Sequence, residues 1–426
     1  MSTMLQLPPI PAEVLGLSDI KIIKVELTKQ NEFIITVEST QQDTHYHQCK
    51  KKTQPYGKGR TLRLRHLPIL GHKTTIEITP LRGRCLDCDG QPTTTQSLDW
   101  YDQKSPHTKA YEQHVLLSMI NSTIADVSMK EDVGYQAIQG IIDKHIQAEI
   151  NWSEINKLGL LGIYEISLGK GYRDYVTLLT SRVGNKTRIV AVIKGREKEA
   201  IKDFFLDIPK KLRKTIMAIC TDMYDGYINA AKEVFGERTP VIVDRFHVAK
   251  LYRKSLISLR KKELKRLKKT LSEEQYRSLK AAIALLCHQK EFMTREEKKI
   301  LEPLFNYSPT LKVAYQLCCQ LTAIYNSHID STTAHQKINE WVESITRSGL
   351  ICFDRFIRTL RKYQPQIENY FQNRETSGFV EGFNNKVKVM KRRCYGIFNL
   401  RHLYQRLFLD MSGYALLGKQ PVATCG

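Results

Sequence analysis

The sequence predicts an α/β protein whose main body is a mixed sheet with a long helical insertion, preceded by two smaller modules. Two observations predict it. From residue 160 onward, LGIYEIS, DYVTLLTS and RIVAVIKG are apolar runs separated by short turns, the pattern of three meandering strands. Beyond them the apolar period switches to helix, strand, helix, strand, then helical periodicity alone from 249 to about 375, and a last helix. That element order is the one a ribonuclease-H-like core uses.

Residues 1–98 carry one clear strand, Phe33-Ile34-Ile35-Thr36-Val37, two strand-like runs around Leu62–Leu67 and Thr74–Ile78, and two cysteine-bearing segments. Over 99–155 the period changes. Val115, Leu116, Met119 and Ile120, then Ile138, Ile141, Ile142 and Ile146, recur at three and four residues, predicting short helices with Asp126 and Gly134 as turn points. This spacing fits a helix-turn-helix. The third region, 156–426, holds the sheet, with turns at Gly169-Lys170-Gly171 and Gly184-Asn185. A helix with Ile201, Phe204, Phe205, Ile208 and Leu212 on one face follows. Met217–Cys220 is a strand ending at Thr221-Asp222; Tyr227, Ile228, Ala231, Val234 and Phe235 make a helix; and Val241-Ile242-Val243 is a strand ending at Asp244. A helix from Asn399, with Leu400, Leu403 and Leu407 in phase, closes the chain.

The 426 residues include 66 Lys and Arg against 44 Asp and Glu, a net charge of +22. Such an excess points to a polyanion, usually nucleic acid, because Lys and Arg displace counterions from phosphates. The plainer reading is a basic enzyme with no such partner. No run approaches ~18 apolar residues, so no membrane span is expected. The opening MSTMLQLPPIPAEVLG lacks the basic and apolar regions of a secretory signal. Ten scattered cysteines suggest reduced thiols and one metal site. A cytoplasmic, nucleoid-associated protein is expected.

Phosphodiester chemistry asks for carboxylates that hold divalent cations. Asp222, at the end of an apolar strand, can offer one at a sheet edge; Asp225 is three residues on, and Asp244 ends the next strand. The competing reading of Asp222 is a helix N-cap. A third acid stands in SGFVEGFNNKVKVMKRRCYG, where Val380, Phe383, Val387 and Met390 form an apolar face and Glu381 shares the other side with Asn384, Asn385 and Lys388. Glu381 and Lys388 are two turns apart and project alike, a carboxylate for metal beside a lysine for phosphate. Lys386, Lys391, Arg392 and Arg393 continue the basic run. In the insertion, the segment from Arg253 and Lys254 to Lys269 is either a DNA-facing stripe or a solvated helix.

Taken together, GIYEISLGKGYRDYVTLLTS, TDMYDGYINAAKEVF, VIVDRFHVAKLYRK and SGFVEGFNNKVKVMKRRCYG resemble the transposases of ISL-three type bacterial insertion sequences, over essentially residues 45–410. The resemblance implies a DDE enzyme: a ribonuclease-H-like fold in which two Asp and one Glu bind Mg²⁺ or Mn²⁺ for DNA cleavage and joining. By match, Asp222 is the second acid and Glu381 the third. It also implies terminal inverted repeats and target DNA as partners and a homodimer on paired ends; for Asp244 and His247 of DRFH it implies an accessory ligand and a phosphate or metal neighbour, with a structural hydrogen-bonding role as the competing reading. The first strand departs from the pattern. Where the family reads Gly-Ile-Asp-Glu, this chain has Gly162-Ile163-Tyr164-Glu165. A phenol of pKa ~10 is a poor Mg²⁺ ligand, and Glu165 points to the opposite sheet face. The alternative reading is therefore an inactive DNA-binding remnant that represses related elements.

Cys85-Leu86-Asp87-Cys88 is half of a zinc knuckle. The family's other pair falls on Tyr46 and Cys49. Either Cys49, Cys85 and Cys88 hold Zn²⁺ with His45 (or His47) as the fourth ligand, or the CxxC is a free-thiol pair in a loosened module.

Overall fold

The structure, a computed structural model, describes residues 11–168, 175–286, 293–373, 378–394 and 399–418, without the side chains of 373, 378–381 and 384. It divides into two compact units, residues 1–147 with 412–426, and residues 148–411.

The first unit begins with strands β1 (Ile20–Leu27), β2 (Phe33–Ser39), β3 (Gln54–Lys58), β4 (Leu62–Ile69), β5 (His72–Ile78), β6 (Leu81–Arg84) and β7 (Thr93–Thr95). They form a four-stranded sheet, order β1-β2-β5-β4, and a three-stranded one, order β3-β6-β7. Strand period two turns Phe33, Ile35 and Val37 of β2 inward, against Leu64, Ile76 and Ile78 of β4 and β5. Three helices follow: α1 (Lys109–Met119), α2 (Ile124–Glu131) and α3 (Tyr135–His145). Thr108 and Thr123 cap the first two, their hydroxyls accepting the amides of Tyr111 and Asp126. Asp126, read from sequence as a turn point, therefore sits in the first turn of α2, where its charge suits the helix dipole. The turn into α3 is made by Asp132, with a left-handed φ of 50°, and by Gly134 at the N-cap. Arg65 of β4 donates its amide to Pro106 and accepts from the amide of Thr108, at 2.9 and 3.0 Å. These bonds tie the helices to the first sheet within one unit.

The second unit is built on β8 (Gly159–Ser167), β9 (Tyr175–Val183), β10 (Lys186–Lys194), β11 (Ile216–Thr221) and β12 (Val241–Val243), in the order β10-β9-β8-β11-β12. The first three strands meander antiparallel; β11 runs parallel to β8 and β12. Gly184, at φ +58°, turns β9 into β10, while the expected turn at 169–171 lies outside the described residues. Helices α4 (Lys198–Asp207), α5 (Lys210–Arg213) and α6 (Asp225–Phe235) link the later strands. Helix α7 (Arg245–Thr270) opens the insertion, and α8–α15 occupy Glu273–Asn373. The unit ends with α16 (Gly378–Arg393) and most of α17 (Leu400–Leu417). Among the described residues no helix is long and apolar enough to cross a membrane.

Candidate functional site

Strand pairing sets up the site. Cys220 of β11 lies level with Gly162 of β8, and the same offset carried two residues on brings Asp222 level with residue 164. Asp222 caps nothing. Helix α6 starts at Asp225 with Tyr224 at its N-cap and no side-chain cap bond, which corrects the capping alternative. One carboxylate oxygen of Asp222, Oδ1, is buried without a hydrogen-bond partner among the described residues. Burial raises its pKa above the ordinary carboxylate range; His247 opposes that shift, the carboxylates of Glu165 and Asp244 add to it, and Arg196 opposes it. An unpaired buried carboxylate beside two further acids is costly without a cation or a proton.

The other acids near it are already engaged. Asp244 caps α7, its Oδ1 accepting the Phe246 amide at 2.8 Å, with His247 Nδ1 at 3.7 Å from its other oxygen. Asp225 pairs with Lys362 and accepts the Tyr363 hydroxyl at 2.9 Å, so that carboxylate serves packing between α6 and the insertion. Glu165 holds Arg196 at 3.2 Å, and the guanidinium lies over the rings of Tyr175 and Tyr224.

Position 164 faces the other way. Glu165 lies opposite Thr177, whose hydroxyl meets that of Tyr227 on α6 at 2.8 Å. Tyr164 instead packs on Phe383 of α16, ring centroids 5.5 Å apart, with its hydroxyl 3.0 Å from Thr180 Oγ1. The two neighbours thus occupy opposite faces of β8, as strand alternation requires. The ring folds back over Gly162, where an added Cβ would lie 2.1 Å from the Tyr164 hydroxyl. Only 4 % exposed, the phenol is held protonated, its pKa raised by burial. Phe383 places α16 against β8; the side chain of Glu381 lies outside the described residues.

The basic residues divide. Lys386 donates to the Asp410 carbonyl, Lys391 to the Ser167 carbonyl, and Arg393 pairs with the Asp410 carboxylate. Lys388, Arg392 and Lys254 are exposed, and Arg253 is half-buried. Nothing in the local pattern marked Arg196 or Thr180; the apolar phase of α16 did mark Phe383.

In the first unit the Sγ atoms of Cys49, Cys85 and Cys88 lie within 4.8 Å of one another, Cys49 and Cys85 at 3.5 Å. The Lys51 amide holds the Cys49 thiol below its usual range, whereas hydrogen bonding to Cys85 and Cys49 pushes Cys88 up to about 12. Lys50 and Gly90, each one or two residues past a cysteine, take left-handed φ values of 61° and 73°. His45 is not in this cluster, nor is His47. His45 pairs by backbone with Lys52 and its side chain is exposed, while Tyr46, 6 % exposed, takes the inward position between the two histidines. The expected Cys₃His set is thus three cysteines.

The profile of DDE transposases of the ISL3 type, described as Transposase, matches residues 161–407. The chain belongs to the ISL3 transposase family. Over 369 residues this family member is 23 % identical to the transposase for insertion sequence element IS1001 of Bordetella parapertussis, covering 86 % of this chain and 89 % of that one. It is 20 % identical over 390 residues to the transposase for element IS1557 of Mycobacterium tuberculosis, covering 86 % and 85 %. A 115-residue stretch is 28 % identical to an ATP-dependent protease of Lactococcus lactis, covering 26 % of this chain and 34 % of that protein, too small a share to carry an argument. Membership makes DNA the partner to expect and divalent metal the cofactor to test.

Proposed function

We propose that the chain is the DNA transposase of a bacterial insertion sequence, binding terminal inverted repeats as a homodimer and built for metal-dependent strand cleavage and transfer in the cytoplasm. The observation that carries this reading is the orphaned Asp222 oxygen at the end of a strand paired in parallel with β8, in a sheet ordered as in a ribonuclease-H-like core. Asp222 and Glu381 would hold the cation, which supplies charge stabilisation at the phosphate when bound. His247 and Asp244 tune the Asp222 carboxylate, and exposed Lys388 and Arg392 offer phosphate contacts. Helices α2 and α3, joined across residues 132–134, support a helix-turn-helix that reads the ends. Tyr164 favours the second reading, a chain that binds ends but cuts them weakly. End duplex is expected to bind more tightly than random duplex, with log K falling on log salt at about −5 or steeper for six or more phosphate contacts. Equal, salt-insensitive binding of both duplexes would remove the reading.

The fit of the three thiols to Zn²⁺ rests on their clustering and on the Lys51 amide aimed at Cys49. Tyr46→Cys is expected to retain about one zinc per chain under a chelator that strips the wild type, because it completes four sulfur ligands. Metal analysis after dialysis checks this; equal retention by both proteins would place the fourth ligand elsewhere.

A further inference from the structure

We propose that one face of α7 is a docking strip for the phosphate backbone of duplex DNA, running away from the Asp222 site; this rests on the DNA partner of the reading above. The helix spans 26 residues and holds a single acid, Glu263, which turns inward to Arg266 and Ser308. Three of its four arginines bond to other elements, and the fourth, Arg253, is half-buried. Arg245 reaches Tyr370 and Asn326, Arg260 the Ile283 carbonyl, and Arg266 the Tyr307 carbonyl. Five of its seven lysines do not: Lys250, Lys254, Lys261, Lys265 and Lys268 are all exposed, and among the described residues none takes an ion pair or hydrogen bond; Lys262 and Lys269, also exposed, lie to one side of them.

At about 100° per residue these five lie within an arc of about 60°. Val248, Tyr252, Leu256 and Leu267, the buried face, lie on the opposite side. The stripe is therefore a continuous cationic edge. From Lys250 to Lys268 it extends about 27 Å at 1.5 Å per residue, the length of about eight base-pair steps. It starts three residues after His247 and six after Asp244, both of which border Asp222, so a duplex whose scissile phosphate sits at that carboxylate can follow α7 outward. Lysine suits this work: it is a mobile point charge that holds phosphate without reading sequence. Helix α7 itself places no acid on this face.

The test uses the full-length chain with Lys250→Gln, Lys254→Gln, Lys261→Gln, Lys265→Gln and Lys268→Gln combined, a second chain with all five changed to Arg, and a random-sequence DNA duplex as probe. The Gln chain is expected to show a slope of log K on log salt about 4.5 units shallower, at about 0.9 for each phosphate no longer neutralised, with unchanged thermal unfolding; the Arg chain keeps the wild-type slope. A steep wild-type slope left intact by the Gln set overturns the α7 assignment alone. A flat wild-type slope overturns the DNA reading and this proposal with it. Loss of slope on single-stranded RNA with none on the duplex overturns it as well, giving the face to another polyanion.

Discussion

Tyr164→Asp is expected to raise cleavage of a cognate DNA end by about 10³-fold, equivalent to about 4 kcal/mol at the transition state. The wild-type phenol lies under Phe383, 4 % exposed, and burial keeps its proton on. It offers no anionic oxygen, and its ring fills the space that an Asp side chain would leave between β8 and α16. Asp222 and Glu381 alone would leave the metal set without the carboxylate that the family pattern carries at position 164. Glu165 borders Asp222, but it lies on the opposite face of β8 from Tyr164 and its carboxylate is already held by Arg196. The exchange also removes an aromatic contact, so the metal-free variant should unfold earlier, with Mg²⁺ or Mn²⁺ restoring part of the loss. The wild type should lack that metal-dependent rise. Cleavage assays with Glu381→Ala as the blank decide the matter. Wild-type activity well above the blank and indifferent to Tyr164→Asp would assign the first acid to another carboxylate.

Strand period and order were legible in sequence because they depend on local pattern. The runs from 160 to 194 became β8, β9 and β10, and the alternation of positions 164 and 165 put Tyr164 on Phe383 and Glu165 on Arg196. Strand β3, QPYGK, left no trace, since every residue in it is exposed and no apolar alternation marks it. Long basic side chains were the other blind spot. Lys391 and Lys386 end on carbonyls that only the folded chain brings near, so a charge run does not say which of its members face water. His45 shows the reverse limit: spacing put it within reach of Cys49, but its backbone pairing with Lys52 left the ring outside the cluster.

The same limit hides a polar cluster of the first unit. Glu112 of α1 is 2 % exposed and accepts from Lys144 at 2.7 and 2.9 Å, from Ser105 at 2.9 Å, and shares a 2.6 Å bond with His145. Its partners on α3 are more than thirty residues away in sequence, so no local pattern announces them. Burial, the largest influence, works against the ionised form, yet His145, Lys144 and Ser105 outweigh it and hold the carboxyl down at about 2. Glu112→Ala removes the acid that fastens α3 to α1 and leaves Lys144 with Asp102 alone. Breaking such a buried pair costs about 3 kcal/mol, the lower end of the usual range because Lys144 keeps 35 % of its side chain in water. The folded pKa lies below the unfolded one, so this stabilisation is complete above about pH 4.5 and is lost as pH falls towards 2. Amide exchange along α3 reads the effect within its own unit. Glu112→Gln, which cannot titrate, should be less protected than the wild type at neutral pH, with the difference closing as pH falls through that window. A difference that stays constant with pH would mean that Glu112 acts by shape alone.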